Sequence, residues 1–181
     1  MISFPSQSQL GFSLLESMVA VLVISVGLLG VAGMQMLAMK GSHHAFQQGR
    51  ASDLMKALLE RMRSNTTAVY SDDYTIADSA SYQCNVILSK NCEDGSNICD
   101  ARELAESDLY HAVCGYDNAH LGGIQGALAN GAISISCLGG AGSCAQGINF
   151  TISWNERILG QEGQGKAVLA REISLDTVIA P

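Results

Sequence analysis

From Met18 to Met39 every residue is apolar or Gly except Ser25 and Gln35, and none is charged. About 20 such residues cross a bilayer as a helix, so residues 12–39 are expected to form one membrane helix near the N-terminus. A secretory signal peptide is the plainer alternative. It calls for a basic n-region, a shorter apolar core and a small-residue cleavage site beyond it. The residues ahead of the run, MISFPSQSQLG, hold no Lys or Arg, and Val31-Ala32-Gly33 would place the cut inside the apolar stretch. Glu16 lies four residues after Phe12, inside the expected helix 12–39. A carboxylate in hydrocarbon costs roughly 2.5–3.5 kcal/mol, which marks it as a functional residue, unless it snorkels at the membrane surface.

Gly11-Phe12-Ser13-Leu14-Leu15-Glu16 resembles the type III signal of type IV pilins and type II secretion pseudopilins. The resemblance implies a leader peptide, residues 1–11, removed by a prepilin peptidase between Gly11 and Phe12. It implies N-methylation of Phe12 and retention of residues 12–39 as the transmembrane or filament-core half of a long helix. It assigns subunit docking to Glu16, whose carboxylate would meet the N-terminal amine of a neighbour's Phe12. Within the family the likeness is to the PilV-type minor pilins. It rests on Ser25-Val26-Gly27-Leu28-Leu29-Gly30, on a Cys-bracketed loop leading into Arg102-Glu103-Leu104-Ala105, and on Ile152-Ser153-Trp154. Such a protein is a structural subunit, not an enzyme. It joins or primes a type IV pilus in a tip or initiation complex and serves adhesion, twitching motility or DNA uptake. Its implied partners are other minor and major pilins, the prepilin peptidase/N-methyltransferase and the inner membrane, from which it passes to the cell-surface pilus. The I-type pseudopilins share the N-terminal pattern and form the nearest rival. A membrane-anchored periplasmic enzyme or binding module forms the second.

Gly27, Gly30 and Gly33 recur every third residue in the apolar half. They suit either close helix packing or the local helix flexibility implied by the resemblance. Ala51, Leu54, Met55, Leu58, Leu59 and Met62 then follow the i, i+3, i+4 spacing of one helical face. Residues 40–65 are therefore the amphipathic second half of the helix, ended by Ser64-Asn65. Residues 12–63 as one helix would measure about 78 Å. Residues 66–181 form a head, placed in the periplasm by the resemblance. Asp100-Ala101-Arg102-Glu103 reads as a capping box opening a short helix, 101–114. A short strand is expected over Ser81–Leu88, and a Gly-rich loop over 115–131. Alternation over 133–137, 148–154 and 173–179, with Gly-rich connections at 139–147 and 160–165, predicts an antiparallel sheet. The fold class is α+β and pilin-like: a long N-terminal helix whose amphipathic half packs on a C-terminal antiparallel sheet.

Residues 12–65 hold five basic and three acidic residues, net +2; residues 66–181 hold five and fourteen, net -9. A head with that balance has no basic stripe and is not expected to bind nucleic acid directly. All six cysteines, Cys84, Cys92, Cys99, Cys114, Cys137 and Cys144, fall in the head, which points to an oxidising compartment and disulfides. Six allow 15 pairings and sequence does not choose among them. The short loops favour Cys137–Cys144 and Cys92–Cys99, leaving Cys84 with Cys114. Both gaps hold six residues, unlike the C-x2-C spacing of zinc sites. His43-His44 diverge on a helix, and Glu93-Asp94-Gly95-Ser96-Asn97 does not complete an EF-hand pattern. Asn65-Thr66-Thr67 and Asn149-Phe150-Thr151 are chance-prone sequons. No catalytic residue, metal or cofactor is expected.

Overall fold

The computed structural model describes residues 13–85, 88, 90, 92–93, 97–116, 122–140, 144–157 and 168–179. It separates into two units, Met1–His43 and His44–Pro181. Helix α1, Leu14–Ser64, contributes to both.

In the first unit Ser13 starts the helix. Its Oγ accepts the Glu16 N–H at 3.2 Å, and its carbonyl accepts the N–H groups of Glu16 and Ser17. The side-chain bond satisfies one of the donors that every helix start leaves without an intrahelical partner. Residues 14–39 are exposed throughout, and the richest 18-residue window has a mean hydropathy of 2.3. The polar interruption Ser25 is absorbed locally, its hydroxyl donating to the Val21 carbonyl at 2.7 Å.

In the second unit α1 turns one-sided. Ala51, Met55, Leu58, Leu59 and Met62 are buried, with Leu54 packed at the margin, so the helical stripe read from spacing is the core face. The helix ends where expected. A five-residue helix α2 (Thr66–Tyr70) follows at once, too short to carry a periodic signal. Buried Asn65 between them donates from Nδ2 to the Ala101 carbonyl at 2.7 Å. The chain then runs beside the sheet: Ile76 bridges Ile135, and Ser79 accepts Ile133 N–H on its Oγ at 2.7 Å while donating its own N–H to Ile133.

The strand expected over Ser81–Leu88 does not form among the described residues. Residues 81–85 lie in turns and coil. Gln125 Nε2 takes the carbonyls of Ser79 and Tyr82 at 3.0 and 3.1 Å, which diverts acceptors a ladder would need. Helix α3 (Ala101–Cys114) carries the full capping box between Asp100 and Glu103. It ends on Gly115 at φ +86, where an added Cβ would lie 2.7 Å from Gly123 N. The expected loop 115–131 also holds one helical turn, α4 (Ile124–Ala127).

Three strands, β1 (Ala132–Cys137), β2 (Ile148–Arg157) and β3 (Val168–Thr177), form an antiparallel meander in the order β1-β2-β3. The period of two places Ile148, Phe150, Ile152 and Trp154 on one buried face, beside Ile133 and Ile135. These residues share a single core with the α1 stripe and with Ala105, Leu109 and Val113 of α3. Tyr70 Oη donates to the Ile179 carbonyl at 2.9 Å and holds the segment after β3.

Three disulfides close the loops: Cys84–Cys114, Cys92–Cys99 and Cys137–Cys144, separated by 30, 7 and 7 residues. Chain-entropy arguments give about 3.7 kcal/mol for the long loop and about 2.5 kcal/mol for a short one. Replacing Cys84 and Cys114 together by Ala should therefore lower stability by about 1 kcal/mol more than replacing Cys137 and Cys144. Urea midpoints of the two double variants measure the difference. Equal losses would place the stabilisation elsewhere than in the unfolded chain.

Candidate functional site

Gly11 and Phe12, the expected cleavage and methylation positions, lie outside the described residues. Glu16 occupies the first turn of α1, fully in the open. Its backbone N–H makes the Ser13 cap described above. Ser13-Leu14-Leu15-Glu16 has the S-x-x-E form of a capping box, a signal in the sequence that the reading of Glu16 as a docking residue passed over. A carboxylate in this turn also faces the positive end of the helix dipole. Gly27, Gly30 and Gly33 have no atom within 4 Å of where a Cβ would stand. Nothing among the described residues requires glycine there.

The polar centre of the head is a network that no local pattern announced. Arg61, in the last turn of α1, donates to Asp108 Oδ1 at 2.8 Å, to Glu93 Oε1 at 2.6 Å and to the Tyr116 hydroxyl. Its guanidinium lies over the Tyr116 ring, which stacks on His111 at 4.4 Å. Asp108 is 3% exposed, and its second oxygen accepts Tyr74 Oη–H at 2.5 Å. Burial pulls the Arg61 pKa down, but the bonds to Glu93 and Asp108 outweigh it and the net shift is upward. Burial, and then the bond to Asp108, push the Tyr74 hydroxyl well above its ordinary value. At the start of α3, Lys90 donates to both Glu103 oxygens at 2.8 and 2.7 Å and lowers the Glu103 pKa. The network joins α1, α3 and the Cys92–Cys99 loop. Its members hold one another, and Arg61, His111 and Tyr116 also line a small pocket with Leu54 and Leu58.

Asp72 Oδ1 lies 3.0 Å from Cys137 Sγ and 3.7 Å from Cys144 Sγ, a grouping with the spacing of metal ligands. The two sulfurs are bonded to each other, so neither is available as a thiolate. Of the adjacent histidines, His44 Nδ1 stands 3.2 Å from Glu156 Oε2. Glu93 of the acidic turn is committed to Arg61, and residues 94–96 are outside the described set. Both sequon amides are engaged, Asn65 with Ala101 and Asn149 with Asp176 Oδ1 at 2.6 Å.

The apolar half of α1 is exposed over residues 14–39, and the second unit is a small α+β head closed by disulfides. Residues 33–110 match a family described as type IV pilin Tt1218, and residues 6–32 match the prokaryotic N-terminal methylation motif. Both matches support a type IV pilin with a prepilin signal. No curated protein and no solved structure matches it significantly. The family is structural, not enzymatic. Its members are processed by a prepilin peptidase and assemble with other pilus subunits.

The Arg61–Asp108 pair sets two expectations. Asp108→Ala strands part of a buried charge. Because the Arg61 side chain is 35% exposed, solvent softens the loss to about 3 kcal/mol, the lower end of the range for a broken buried pair, read as a fall in urea midpoint. The raised Tyr74 pKa makes folding favour the neutral phenol. The stability it contributes is complete below the unfolded tyrosine value of about 10 and is lost as pH climbs above it. Tyr74→Phe should flatten the decline in urea midpoint between pH 9 and 11. Tyr82, also raised by burial, should keep the remaining slope. A slope unchanged in Tyr74→Phe would refute the assignment.

Proposed function

We propose that the chain is a minor pilin of the PilV type, one that joins or primes a type IV pilus at its tip or initiation complex. The observation that carries this is the apolar run of α1: residues 14–39 have no cover among the described residues, and residues 14–32 lie within the match to the methylation motif. A filament core supplies that cover with the same segment of neighbouring subunits. The domain reading follows: leader 1–11, membrane or filament-core half 12–39, amphipathic half 40–65, and periplasmic head 66–181 outside the inner membrane.

In this reading peptidase cuts between Gly11 and Phe12 and Phe12 is N-methylated, which keeps the amine positive. Glu16 of one subunit then meets the amine of its neighbour. Each charge alone is costly in an apolar core, and the pair fixes the axial register between helices. Gly27, Gly30 and Gly33, with open space where a Cβ would stand, give neighbouring helices close approach or let the helix bend on entry.

Gly11→Val should leave an uncut precursor, 11 residues longer, in the inner membrane. Trimming of that variant to a chain starting at Phe12 would end the prepilin reading. Glu16→Leu should be cut and folded yet depleted in sheared pili relative to membranes. A subunit with neighbours on one side, as at a tip, should show a partial depletion, and one in the shaft a near-complete one. An unchanged ratio would remove Glu16 from docking.

A further inference from the structure

The two edges of the sheet are treated differently. The β1 edge is closed from within: Ile76 and Ser79 pair with Ile135 and Ile133, and the Ser79 hydroxyl stands in for a ladder carbonyl. The β3 edge has no described segment on its far side over ten residues, about 33 Å of strand. Proteins ordinarily shield such an edge, because its free N–H and C=O groups template another strand. The core also stops short of it. On the inner face the register sets Leu175, Ile173 and Leu169 beside Phe150, Ile152 and Glu156. Phe150 and Ile152 are fully buried, whereas Leu175 and Leu169 remain 40% and 41% exposed. A further strand with alternate apolar residues would complete this row.

Charge selects the occupant. The one basic residue of β3, Arg171, faces inward and is held by Glu156 at 2.9 Å. The outward face carries the exposed acids Glu172 and Asp176, four residues apart. A second copy would set another acidic head, net -9 over residues 66–181, against this one. We infer that β3 receives an extended segment of a different protein, apolar on alternate residues and carrying Lys or Arg opposite Glu172 and Asp176, added as a fourth strand. Backbone pairing would supply affinity and the two acids the choice of partner.

The test uses the full chain in detergent and a blocked ten-residue probe peptide alternating Val with Thr, with two Lys four residues apart on the Thr face. Amide hydrogen exchange of β3 is the readout. The Lys probe should slow exchange of the β3 amides not bonded to β2 by about tenfold. A Glu version of the probe, and one N-methylated at alternate amides, should not. Glu172→Lys with Asp176→Lys should reverse the preference between the Lys and Glu probes. Absence of β3 protection, or equal protection by the N-methylated probe, would overturn the proposal. So would β3 protection that rises with protein concentration alone, the mark of a second copy. The inference rests on the head, so a chain that fails this test can still be cut after Gly11 and enter pili.

Discussion

Burying one Leu, Val, Ile or Met side chain is worth about 1.5–3 kcal/mol, and residues 14–39 present more than a dozen of them with no cover among the described residues. Their burial has to come from lipid or from like helices, and residues 18–39, which carry no charge, suit either. The other features of the sequence accommodate this one. Polar groups within the run are few, and Ser25 spends its hydroxyl on the helix's own backbone. After Glu16 the next charge is Lys40, and the apolar residues withdraw to one face from Ala51 onward.

The head faces the opposite problem. A three-stranded sheet and four helical segments, one of them shared with the anchor, enclose a small core, and small cores need other restraints. Here they are long-range and polar. Arg61 reaches across 47 residues to Asp108, Ser79 across 54 to Ile133, and Tyr70 across 109 to Ile179. Disulfides secure the loops that these bonds leave between them. Ser79 and Tyr70 each tie an irregular segment to a regular element, and Arg61 ties two helices together, which is how a chain with long stretches outside helix and strand keeps one core.

The regular elements were legible because their signals are local. The Asp100–Glu103 box located α3, the spacing from Ala51 to Met62 located the core face of α1, and alternation located the strands. β3 was read late, at 173 rather than 168, since Val168-Leu169-Ala170 breaks the alternation. Helices α2 and α4 escaped because five and four residues hold little more than one turn. The strand expected near 81–88 failed because a side chain 43 residues away, Gln125, takes the Tyr82 carbonyl. The Arg61 network was illegible for the same reason: Arg61, Glu93, Asp108 and Tyr116 are ordinary surface residue types until the fold brings them together. The apolar run and its first residues could be read for function because that information is contiguous in the chain.

The bond between Ser13 Oγ and Glu16 N–H has a bearing on timing. Its two partners both lie on the retained side of the Gly11–Phe12 bond, so removal of the leader would subtract nothing from the first turn. Precursor and product would share one helix start, and the peptidase would be choosing among residues upstream of an already wound end. The newly freed amine would then emerge one residue before the cap, at the positive pole of the helix dipole, where a cation is disfavoured. Under the proposed docking, maturation would thus create a charge that its own helix repels and that a carboxylate on another chain would relieve, and assembly would have a direction from the moment of cutting.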